Sequence, residues 1–137
     1  MALFAAPLLA LLLPVSGTPA TAASAAAGTQ HATVKVWSPD GVIAKGCRGH
    51  RYRYALQVPA GESWALVVRL VNPRGRTVAS GYQLSGADAK KGTGRFRFCS
   101  VDVRPGRYKV KAELVWSHYS EEYHVQAEPE PLRLRRP

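Results

Sequence analysis

The densest group of potential metal ligands is HYSEEYH, residues 118–124. If that segment is extended, His118, Glu122 and His124 share parity and present the nitrogen and oxygen donors that zinc or copper accepts. If the chain instead turns between Ser117 and Glu121, as a hairpin joining two final strands requires, His118 is parted from the other two. The hairpin is the preferred reading, so no metal site is assigned. His31 and His50 have no evident companions. The sequence also lacks G-x-S-x-G, H-E-x-x-H and a phosphate-cradling glycine loop. Glu62, Asp88 and Asp102 fall at turns or loops, where carboxylates ordinarily bond to nearby backbone. No catalytic residue and no cofactor is expected.

The cations are more suggestive. Arg51 with Arg53, Arg95 with Arg97, and Lys109 with Lys111 are each spaced i, i+2, which puts both members on one side of a strand. If the three strands are neighbours, the six side chains form one basic patch. Such a field attracts polyanions: an anionic cell-wall polymer, a membrane surface, an acidic polysaccharide or extracellular nucleic acid. The neighbouring rings Tyr52, Tyr54, Phe96, Phe98 and Tyr108 have the opposite, inward parity. Single-strand binding needs exposed rings, so no specific nucleic acid is expected. The competing reading is that these cations only solvate a sheet and discourage edge pairing.

The 137-residue chain carries a formal net charge of +10. Its first thirty residues hold no Asp, Glu, Lys or Arg, and residues 2–15, ALFAAPLLALLLPV, are an apolar block interrupted by prolines. Small residues follow, with A-x-A sites at Ala20–Ala22 and Ala23–Ala25. That is the layout of a secretory signal peptide, residues 1–25, and implies a secreted protein with a flexible start at 26–32. Thirteen Arg against six Lys, with plentiful Ala, Gly and Pro, suggests a G+C-rich genome such as an actinobacterium's. The two cysteines, Cys47 and Cys99, have a single possible pairing, and an oxidising compartment favours the disulfide.

The elements that must position these residues read as strands. TVKVWS at 33–38 and RYRYALQV at 51–58 alternate, WALVVRLV at 64–71 is the near-continuous apolar run of a central strand, and TVASGYQL at 77–84 is weakened by Gly81. RFRFCSVDV at 95–103, RYKVKAELVW at 107–116 and EYHVQA at 122–127 complete the set. Turn signals such as SPDG, PAGE, NPRGR and RPG separate them. About seven short strands without helical periodicity predict an all-β antiparallel sandwich over 33–127, followed by a Pro- and Arg-rich tail at 128–137, extended or disordered. Strict alternation puts Cys99 on the arginine side, which suits a buried disulfide poorly; a bulge or twist near 98–100 would turn it inward.

FRFCSVDVRPGRYKVKAELVW, 96–116, resembles a pattern of bacterial immunoglobulin-like and prealbumin-like secreted sandwiches: a strand ending in an acidic residue, then P-G-x-Y-x-V. The resemblance implies that Tyr108 is a corner tyrosine and Gly106 its turn residue. In an antibody domain the second cysteine would stand at Val110, so here the disulfide joins different strands. The expectation is a secreted, non-catalytic sandwich binding anionic polymer through a basic face. Alternatives are a hydrolase inhibitor acting through the loops SPDGVIAKGCRGH and SGADAKKGTG, with Lys90 and Lys91 as bait, or an extracellular metal carrier.

Overall fold

The computed structural model describes residues 32–137; the expected signal peptide, His31 and nearly all of the expected flexible start lie outside the described residues. Nine strands form two sheets: β1 Thr33–Trp37, β2 Gly41–Val42, β3 Cys47–Gln57, β4 Ser63–Val71, β5 Thr77–Leu84, β6 Lys91–Cys99, β7 Gly106–His118, β8 Glu121–Gln126 and β9 Glu130–Arg135. One sheet runs β1-β3-β6 and the other β2-β9-β7-β4-β5, with β8 also on β7. All pairings are antiparallel except the two-residue contact of β2 with β9.

Alternation dictates the packing. Val34 and Val36 of β1, Tyr52, Tyr54 and Leu56 of β3, and Phe96 of β6 turn inward. They meet Trp64, Leu66, Val68 and Leu70 of β4 and Tyr108, Val110, Ala112, Leu114 and Trp116 of β7. Burying a side chain of this size contributes roughly 1.5–3 kcal/mol, so these rows hold the two sheets face to face. The fold is the expected all-β sandwich. Connections that cross between its two sheets, and a tyrosine corner at the base of β7, give it an immunoglobulin-like form. At that corner the Tyr108 hydroxyl donates to the Arg104 carbonyl, 2.9 Å, and accepts from the Arg104 N–H, 3.1 Å.

Two details depart from the sequence-based expectation. The segment 128–137 is no tail outside the domain: β9 pairs with the first part of β7 and buries Leu132 and Leu134. Alternating Leu132 and Leu134 with Arg133 and Arg135 is the half-buried strand pattern, which the prolines and charges obscured. β7 is long enough that β9 covers its lower edge and β8 its upper edge. Gly81, which reads as a weak point of β5, is a point of close approach. The buried Tyr52 ring fits between Gly81 and Gly94, and a Cβ on either would overlap it. The Tyr52 hydroxyl bonds the Gln83 amide, and burial pushes its pKa up.

Candidate polyanion-binding face

The outward side of the three-stranded sheet follows directly from its register. Trp37, Arg53 and Thr93 lie in one row across β1, β3 and β6, and Lys35, Ala55 and Lys91 in the next. Further along β3 and β6, Arg51 stands directly opposite Arg95, Gly49 opposite Arg97, and Cys47 opposite Cys99. Successive rows are roughly 6.7 Å apart along a strand. Lys35, Arg51, Arg53, Lys91, Arg95 and Arg97 are all exposed, and no carboxylate projects from this side of the three strands. Glu128 and Glu130 line a groove along the free edge of β1. Among the described residues, no ion pair engages any of the six cations.

The expected patch is thus only partly assembled. Arg51, Arg53, Arg95 and Arg97 share one face, but Lys109 and Lys111 do not join them. They stand on β7, in the other sheet, and point outward from the opposite side of the sandwich. The i, i+2 spacing correctly put each pair on one side of its strand; it holds no information on which sheet the strand joins. Conversely, Lys35, Trp37 and Lys91 belong to the face and escaped the sequence reading. The signal was present in the alternation of TVKVW, since buried Val34 and Val36 force Lys35 and Trp37 outward.

The disulfide forms between Cys47 and Cys99, 52 residues apart. No bulge turns Cys99 inward: the β3–β6 register is unbroken, and the bond lies on the arginine side between adjacent strands. Strict alternation therefore holds, and the bridge fastens one sheet to itself at its lower end. The core position two residues after Tyr108 is filled by fully buried Val110.

The outward side of the larger sheet is built differently. Arg107, Lys109 and Lys111 share β7 with Glu113, which lies 3.6 Å from Arg69. His124 places Nδ1 2.8 Å from Glu113 and Nε2 2.9 Å from Glu122. Those two hydrogen bonds raise the His124 pKa, and the bond from His124 lowers that of Glu113. His118 lies elsewhere: a turn at Tyr119–Ser120 reverses the chain, and His118 Nδ1 meets Glu62 at 2.6 Å. No group of three or more His, Cys, Asp or Glu able to hold a metal occurs among the described residues.

The two proposed inhibitory loops are not free projections. Residues 41–42 and 47–50 of the first are strand, its Ile43 N–H donates to the Arg135 carbonyl, and Asp40 accepts from the Arg133 N–H. In the second, Lys90 donates to the Val58 carbonyl at 2.9 Å and Lys91 already belongs to β6.

No protein-family model matches the chain, and no curated protein does. Among solved structures, that of murine CRIg is similar at 16% identity and a TM-score of 0.48, over 77% of this chain and 98% of that one.

Proposed function

We propose that the protein is a non-catalytic, extracellular binding module that associates with an anionic polymer of the cell envelope through the outer face of its three-stranded sheet. The observation that carries this reading is a face of six exposed cations without a carboxylate, on which Arg51 and Arg95 stand directly opposite each other. Like charges directly across a strand pair oppose folding, by roughly 0.2–1 kcal/mol. Solvation alone would be served as well by the mixture of signs on the larger sheet. A polyanion laid across β3 and β6 would turn that repulsion into attraction, and a linear polymer could meet several rows at once. The disulfide is the kind of bond an oxidising compartment sustains, in keeping with the signal-like leader.

The test is co-sedimentation of the oxidised domain with purified bacterial cell walls whose anionic polymers are intact or stripped, at low and high salt. Binding that is lost on stripping and falls steeply with salt supports the reading. Equal retention by stripped walls, or no binding to either, would overturn it.

A further inference from the structure

One feature of this face is not a charge. Trp37, on edge strand β1, is 44% exposed, whereas Trp64 and Trp116 are 6% and 3% exposed in the core. Its register partner is Arg53, and Trp37, Arg53, Lys91 and Thr93 line a shallow depression of about 430 Å³ that also touches the edge of Tyr54. Ala55, between Lys35 and Lys91, keeps the adjoining row low. A bare polyphosphate has no use for an indole plane. A pyranose ring has one apolar C–H face that stacks on such a plane, and an acidic sugar carries its anion at the ring's rim.

Resting on the face proposed above, we infer that the polymer is an acidic polysaccharide, with a sugar ring stacked on Trp37 and its carboxylate held by Arg53 and Lys91. Thr93 supplies a hydroxyl suited to a sugar hydroxyl in the same row. Glu128 and Glu130, across the free edge of β1, repel the anion from that side. The acidic rim of the ring is thereby directed inward over β3 and β6, and successive sugars run toward Arg51, Arg95 and Arg97. Trp37 sets the ring class and the arginines supply the attraction.

The probes are polygalacturonate and linear polyphosphate, matched in charge per chain and titrated into the oxidised domain. Trp37→Ala is expected to weaken polygalacturonate binding about tenfold and polyphosphate binding less than twofold, since only the first loses a stacked ring. Trp37→Tyr, which keeps an aromatic plane, should restore most of the loss. Because the other two tryptophans are buried, polygalacturonate should also protect wild-type fluorescence from acrylamide quenching, and polyphosphate should not. Thermal unfolding of each variant checks that the fold is retained. If Trp37→Ala weakens both polymers equally or neither, or if polyphosphate binds and polygalacturonate does not, the glycan assignment falls while the basic face stands. If neither polymer binds the wild-type domain, the face itself is refuted.

Discussion

The two outer surfaces of this sandwich both carry cations and differ in the carboxylates set among them. On the larger sheet the charges are answered in part: Arg69 and His124 share Glu113, and Glu122 closes the other side of His124, although Arg107 stands opposite Arg133 and Arg69 opposite Lys111. On the smaller sheet, six cations stand without a carboxylate among them, and two are set directly opposite each other. The first arrangement is what a soluble surface needs. The second leaves its cations without a counter-charge on their own face, which the proposed polyanion would supply. Net charge alone could not separate these surfaces; the placement of the carboxylates does.

The sharpest way to break the comparison is to neutralise each surface in turn. Replacing Arg51, Arg53, Arg95 and Arg97 together by Gln should weaken binding to an anionic polymer by on the order of 10³-fold at low salt, taking about 1 kcal/mol per cation near an anionic surface. Lys109→Gln with Lys111→Gln should change it less than about threefold, since these point away from the site. Equilibrium binding across a salt series reads both.

A second contrast sets the inside of the smaller sheet against its outside. Gly94→Ala would drive a Cβ into the buried Tyr52 ring and should destabilise the domain by about 3 kcal/mol, measured by urea unfolding. Gly49→Ala, on the outward side of the same strand pair, meets the Arg95 side chain at 3.5 Å and should change stability by less than about 0.5 kcal/mol.

Arg95→Glu sharpens the link between binding and stability. It converts a like pair into an opposite one, so the domain should gain roughly 0.5 kcal/mol while losing affinity for the polymer. A variant that lost stability and kept its affinity would mean that the opposed arginines serve the fold.

The smallest effect belongs to the larger sheet. The folded-state value of His124 is raised, so its contribution is full below its ordinary 6.5 and fades as pH climbs through the raised value. Glu113 is lowered, so its contribution is full above its ordinary 4.5 and fades as pH falls through the lowered value. His124→Gln should therefore cost most between these two ordinary values and progressively less at alkaline pH. Unfolding midpoints over a pH series check this, and the four-arginine variant, which keeps both groups, should show the same dependence on them as the wild type.

Much of this was legible in the sequence because a strand writes its two faces in alternate residues. Arg51 and Arg53 against Tyr52 and Tyr54, and Arg95 and Arg97 against Phe96, gave sides that the structure keeps. What alternation cannot write is partnership. Nothing local in RYKVK places Lys109 in a different sheet from Arg95, since that depends on where the chain crosses over after Cys99. The disulfide shows the same divide. Its pairing followed from count, but alternation alone left open whether it turned inward, and it joins neighbours within one sheet on the arginine side. The segment 128–137 reads as a tail because its prolines and charges outweigh two leucines at strand spacing. Trp37 went unremarked because an aromatic in a strand is read as core before its parity is checked.

The central claim is that β1, β3 and β6 present the binding surface. The most direct measurement is an amide chemical-shift map of the oxidised, isotope-labelled domain titrated with polygalacturonate. Shifts confined to Lys35–Trp37, Arg51–Ala55 and Lys91–Arg97, including the Trp37 indole N–H, are the predicted result. Shifts centred on Arg107–Glu113 and Arg69, with β3 and β6 silent, would contradict it.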